Sequence, residues 1–177
     1  VLAEIVSSTP SATEPPFDAV LFQALPKGDK MDTIIQKAVE CGACQIVPFE
    51  SEHCVVRVKQ DAEERKTERR LRIASEAAKQ CGRGILPTVQ QTVSFDRMLD
   101  LACGADLCLF CYEGEGTLPL KSLIHAKLPT LSRDRVPAVS IVIGSEGGFS
   151  HEEAEKIEKS GAKPVTLGKR ILRCETA

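Results

Sequence analysis

The stretch Ala138-Val139-Ser140-Ile141-Val142-Ile143-Gly144-Ser145-Glu146-Gly147-Gly148-Phe149-Ser150-His151-Glu152-Glu153 decides the architecture. Its first six residues form a short apolar run rich in β-branched side chains, the signature of a buried strand. Glycines 144, 147 and 148 follow, and Ser150 with Glu153 matches a capping box, which places a helix start there. In open α/β sheets, small ligands bind between a strand's C-terminal end and the next helix. Glycine lets the backbone approach such a ligand closely. The loop carries neither G-x-G-x-x-G nor G-K-[ST], so dinucleotide and P-loop readings fail. Glu146 would repel a phosphate and suits a ligand with an amine or another positive centre.

Working outward, the same alternation repeats. Ala19–Leu25 reads as a strand running into Pro26-Lys27-Gly28-Asp29, and Met31–Cys41 has helical periodicity stopped by Gly42. Gln45–Phe49, Ala105–Tyr112 and Lys163–Leu167 read as further strands. Asp61–Cys81, Ser94–Ala102, Leu118–Leu128 and His151–Ser160 read as helices. Strands alternating with helices predict an α/β domain with a mostly parallel sheet flanked by helices. In the long helix, Leu71, Ala74, Ala78 and Cys81 are expected to face the core. Arg69, Arg72, Lys79 and Arg83 recur at the same spacing as a basic stripe. Charge alone makes that stripe a solvated face.

The chain has 177 residues, with 23 Lys and Arg against 25 Asp and Glu, a net charge of −2. Any nucleic-acid affinity must therefore come from local patches. One Tyr, six Phe and no Trp argue against base stacking on an aromatic platform. No run reaches the roughly 18 apolar residues of a membrane span. Val1–Pro16 is rich in Ser, Thr and Pro, lacks signal-peptide character, and is expected to be a linker or lead-in to a domain spanning 17–177. A cytoplasmic protein is the expectation. Two C-x-x-C pairs, Cys41/Cys44 and Cys108/Cys111, are separated by roughly 63 residues, far beyond zinc-ribbon spacing. No metal site is expected, and the cysteines read as free thiols.

The tail completes the pattern. Val165-Thr166-Leu167-Gly168-Lys169-Arg170-Ile171-Leu172-Arg173-Cys174-Glu175-Thr176-Ala177 runs from a strand through a turn. It sets Ile171 and Leu172, expected to be buried, among arginines. G-S-E-G-G-F-S followed by L-G-K-R-I-L-R-C-E-T-A resembles the RsmE-type 16S ribosomal RNA uridine-N3 methyltransferases of the SPOUT superfamily. Upstream, Leu25–Asp32, Ile35–Gly42, Ile46–Phe49, Val55–Arg57 and Arg72–Arg83 match the same family in order, so the likeness covers roughly residues 19–177.

The resemblance implies a C-terminal trefoil knot, a rare topology that no periodicity reveals. It also implies a homodimer, S-adenosylmethionine as cofactor, and a small-subunit 16S ribosomal RNA substrate. Carried over by position, Ile143, Gly144, Glu146, Gly147 and Gly148 form one cofactor loop. Leu167, Gly168, Ile171, Leu172 and Arg173 form a second, and Leu109 to Glu113, with Tyr112, a third wall. Arg173 is the first expected catalytic residue, with Glu146 and Arg83 beside it and Arg170 behind. Arg69, Arg72, Lys79, Arg83 and Lys27 are the expected RNA contacts. Three departures stand out. Ser145 replaces a usual Pro, the family's N-terminal RNA-binding barrel is missing, and the chain stops where a closing helix is expected. The rival readings are a non-catalytic RNA- or protein-binding domain that keeps the fold, and a zinc module.

Overall fold

A computed structural model describes residues 4–9, 11–58, 60–114, 116–131 and 134–177. Residues 1–3 and 10 of the expected lead-in lie outside the described residues. The chain runs β1 (Asp18–Ala24), α1 (Lys30–Glu40), β2 (Ala43–Phe49), α2 (Gln60–Gln80), β3 (Thr88–Val89), α3 (Phe95–Cys103) and β4 (Leu107–Cys111). It continues through β5 (Leu118–Pro119), α4 (Leu120–Lys127), β6 (Ala138–Ile143), α5 (His151–Lys159) and β7 (Lys163–Thr166). The described residues form one seven-stranded sheet in the order β3-β2-β1-β6-β4-β7-β5. Every pairing in it is parallel.

The run that opened the reading, β6, is the central strand. Its register with β1 sets Gln23 beside Ile143, and with β4 sets Phe110 beside Val142. Strands covered on both faces need apolar residues at nearly every position, and β1, β4 and β6 supply them. Phe22, Phe110 and Val142 are fully buried, packed with Ile35 and Val39 of α1, Ala74 and Ala78 of α2 and Ile157 of α5. A second cluster joins Leu107, Leu109, Val139 and Val165 with Leu123 of α4. No helix among the described residues is long and apolar enough to cross a membrane.

Two sequence expectations of the fold need correction. Leu71 is 39% exposed rather than core-facing; α2 turns Ala74, Ala77 and Ala78 inward instead. Alanines take the buried positions of α2, and Leu71 lies on its partly exposed side. The segment from Leu118 begins as an edge strand, with Pro119 where a missing N–H is tolerated, and becomes helical at Leu120. The two-residue β3 had no readable period. Finally, the segment before β1 is docked at residues 11–15. Glu14 pairs with Arg83 at 2.7 Å, Thr13 Oγ1 donates to the Gly82 carbonyl at 3.0 Å, and Pro15 lies against Gly42.

Candidate functional site

The loop after β6 is shaped by contacts on both sides. Gln23, fully buried in β1, donates through Nε2 to the Gly144 carbonyl at 3.1 Å. The Gly148 N–H donates to the Ser145 carbonyl at 3.0 Å and closes a tight turn. That turn needs φ +64° at Gly148, a conformation glycine adopts without steric cost. Gly147 faces the other way: its carbonyl accepts from His53 Nδ1 at 2.8 Å, and a Cβ there would stand 2.8 Å from the His53 side chain. The capping box forms as expected. The Ser150 Oγ accepts from the Glu153 N–H at 3.3 Å, and Glu153 Oε2 accepts from the Ser150 N–H at 3.1 Å. Glu153 does more than the motif requires, since its Oε1 accepts from the Glu52 N–H at 2.8 Å and ties the 50–54 loop to the same corner.

The chain leaves β7 and turns at Gly168, where φ is +128°. Residues 168–173 then run along the mouth of the site, and Arg173 closes a terminal turn by accepting from the Thr176 and Ala177 N–H groups at 2.8 and 3.0 Å. The third side comes from the end of β4, where the Tyr112 N–H bonds the Val165 carbonyl at 3.1 Å. Phe149 links the floor to the core, its ring meeting Phe110 edge-on at 5.0 Å and lying roughly parallel to Phe49 at 6.2 Å.

These segments enclose a cavity of about 510 Å³ at the C-terminal ends of β4, β6 and β7, the size and place of a small-molecule site. Ile143, Phe149, Val165, Leu167 and Leu172 make its apolar wall, and Glu146 brings a carboxylate to it. Burial is the strongest single influence on Glu146 and opposes its charge; the Lys30 ammonium at 2.9 Å is the largest of the contacts that favour it. The Lys27 N–H adds bonds of 3.1 and 3.2 Å to the two carboxylate oxygens. Together they hold the group below the usual carboxylate range. It is therefore a fixed anion and a weak base. Burial pushes the Cys111 and Cys174 thiols up to about 11, so both line the cavity as neutral thiols rather than as thiolate nucleophiles.

Ten expected site residues come together here: Tyr112, Ile143, Gly144, Glu146, Gly148, Leu167, Gly168, Ile171, Leu172 and Arg173. Three do not. Leu109 lies beneath the site in the second core cluster, because its side chain points to the α4 face of β4. Gly147 turns toward His53. Arg83 sits beyond the end of α2, with its side chain only 3% exposed. Its Nε and Nη2 donate to Glu14, and its Nη1 donates to the Val39 and Ala43 carbonyls at 2.8 and 3.0 Å. Arg83 is thus a buried clamp and is withdrawn from the catalytic and RNA-facing sets.

The rest of the basic stripe is mixed. Arg69 pairs with Asp32, Lys79 with Glu76 at 2.8 Å, and Arg72 is exposed. Lys27 is exposed at the cavity's edge. Ile171, expected to be buried, is 83% exposed. Phe149 and Cys174 were missed, although Phe149 directly follows the glycine loop. Lys30 was missed because its role depends on two residues far away in sequence. Among the described residues, no group of three or more His, Cys, Asp or Glu is placed to hold a metal.

The RNA methyltransferase domain family matches residues 13–177. The ribosomal RNA small subunit methyltransferase E of Bacillus subtilis (strain 168) is 35% identical over 98% of this chain and 67% of its own length. Among solved structures, the ribosomal RNA small subunit methyltransferase E from Neisseria gonorrhoeae bound to S-adenosyl methionine is similar with TM-score 0.79 and 30% identity, over 94% of this chain and 65% of that one. A methyltransferase from Legionella pneumophila in complex with the bound cofactor SAM gives TM-score 0.80 and 32% identity, over 93% and 63%. The chain spans about two thirds of the length of these relatives.

Proposed function

Because this chain belongs to the RNA methyltransferase domain family, we propose that it transfers a methyl group from S-adenosylmethionine to N3 of a uridine in small-subunit (16S) ribosomal RNA. The observation that carries the reading is the cavity bounded by Gly144–Phe149 and Leu167–Cys174, with its apolar wall and the Glu146 carboxylate held in place by Lys30. The apolar wall suits an adenosyl group, and the Glu146 anion suits a positively charged sulfonium or ammonium. When bound, the cofactor supplies an electrophilic methyl on sulfur; transfer forms the N3–C bond, breaks the S–C bond and leaves a neutral thioether.

This chain's residues align and stabilise. The 144–149 loop and the 168–173 segment hold donor and acceptor in line, and positioning of this kind supplies much of the rate. Uridine N3 must lose its proton, and the resulting charge spreads onto the flanking carbonyl oxygens. Arg173, exposed at the cavity mouth, stabilises that charge. Glu146, already committed to Lys30 and Lys27, orients the cofactor, and water takes the proton. Lys27, Arg72, Lys169 and Arg170 are exposed and offer phosphate contacts near the mouth and along α2. Arg69 and Lys79 contribute after exchanging their present carboxylate partners. A knotted C-terminal segment, a homodimer and a cytoplasmic location belong to the same reading.

The test is methyl transfer from labelled S-adenosylmethionine to small ribosomal subunits and to free 16S RNA, with nucleoside mass analysis. The expected product is 3-methyluridine in the subunit. Methylation at another base position, or none despite cofactor binding, sinks the uridine-N3 assignment.

A further inference from the structure

Lys30 is the first residue of α1, which is an unusual place for a cation. Helix N-termini carry partial positive charge, and a lysine there adds to it. The N-cap, Asp29, makes no side-chain capping bond. Asp32 is the acidic residue of the first turn, but it pairs with Arg69. Two carboxylates from distant segments pair with the Lys30 ammonium instead. Glu146, from the loop after β6, lies 2.9 Å from the Lys30 Nζ, and Glu175, from the terminal segment, lies 3.3 Å from it. The three side chains are 34%, 26% and 22% exposed, so solvent screens them only in part.

We propose that Lys30 is a positioning residue that staples the 144–149 loop to the 168–177 segment, so that the two walls of the cavity close as one unit. This rests on the methyltransferase reading for its effect on cofactor binding but not for the staple itself. Without the ammonium, two carboxylates face each other across the join and push the walls apart. Burial raises Glu146, but Lys30 and backbone N–H groups together hold it below its usual range; Glu175 is held low chiefly by its own backbone N–H, with Lys30 a lesser cause; and the hydrogen bond to Glu146 holds the ammonium above its own. Among the described residues, the other groups bonded to this cluster include the Lys27 N–H, bonded to Glu146, and the Cys174 thiol, 3.3 Å from Glu175. Neither is a cation that replaces Lys30.

Two measurements separate the staple from the reading it rests on. In ligand-free protein, Lys30→Met is expected to raise hydrogen exchange in residues 145–148 and 173–177 together, while Lys30→Arg restores protection. Faster exchange in one segment alone, or in neither, overturns the staple whether or not the protein is a methyltransferase. By calorimetry, Lys30→Met is expected to weaken S-adenosylmethionine roughly five- to tenfold. The losses for Lys30→Met and Glu175→Gln should be less than additive in the double variant. Full additivity, or unchanged affinity in Lys30→Met, overturns it. A wild-type protein that binds no cofactor, yet shows the coupled exchange, defeats the methyltransferase reading and leaves the staple standing.

Discussion

Arg83 is bonded to the start of β2, whereas Arg173 lines the cavity beyond the C-terminal ends of β4, β6 and β7, and the sequence presents both as members of basic runs. Arg83 has a side chain 3% exposed and spends its donors on Glu14 and two backbone carbonyls. Arg173 is exposed at the mouth of the cavity, next to exposed Lys169 and Arg170. Among the described residues, none of these three has an ion-pair partner. A guanidinium with all its donors engaged by buried acceptors is structure. One held out at a ligand cavity is available for chemistry. Helical spacing grouped Arg83 with the solvent-facing cations; what separates them is a carboxylate 69 residues away in sequence.

The comparison breaks most easily at Arg83. Arg83→Met should cost about 3 kcal/mol of stability in urea unfolding, because it strands a carboxylate and two buried carbonyls. Cofactor affinity in the folded variant should change less than twofold. Glu14 is held below its ordinary value of 4.5, chiefly by its hydrogen bond to Arg83. A carboxyl with a lowered folded pKa contributes stability that is full above its unfolded value and is lost as pH falls through the folded one. Melting temperature should therefore fall below about pH 4.5, and less steeply in Arg83→Met than in wild type.

Arg173→Ala should do the reverse. Single-turnover methyl transfer should drop about 100-fold, with melting temperature nearly unchanged. A variant that loses stability instead would put Arg173 in the same class as Arg83. The smallest effect is expected from Lys169→Ala with Arg170→Ala. Affinity for ribosomal RNA should fall roughly threefold per residue, and the salt dependence of binding should flatten by about one to two counterions. An unchanged salt slope would remove both residues from the RNA-facing side.

The parallel sheet was legible because buried strands and amphipathic helices write their period locally. β6, the glycine loop and the Ser150–Glu153 capping box were readable residue by residue. What escaped depends on pairings made at long range. Leu71 fits the helical period, yet alanines take the buried face of α2. Gly147 looks like its neighbour Gly148 but is claimed by His53. Leu109 alternates correctly along β4 and still ends on the core side of the cavity floor. Lys30 reads as an ordinary surface lysine until residues 146 and 175 are brought to it. Ile171 and Leu172 were expected to be buried as a pair, but only Leu172 lies against the fold, and Ile171 projects outward. The likeness to a known family supplied the cofactor, which no local spacing encodes.

The cavity beneath residues 144–149 and 167–174 is expected to hold S-adenosylmethionine. This is tested most directly by calorimetric titration of wild type, Gly168→Ala and Arg83→Lys. Gly168 sits at φ +128° with open space around it, so an added Cβ strains the backbone of the cavity wall without filling the core. The expected result is one cofactor per chain, binding weakened about tenfold or more by Gly168→Ala, and little change in Arg83→Lys. No binding to wild type, or equal weakening by both substitutions, would contradict it.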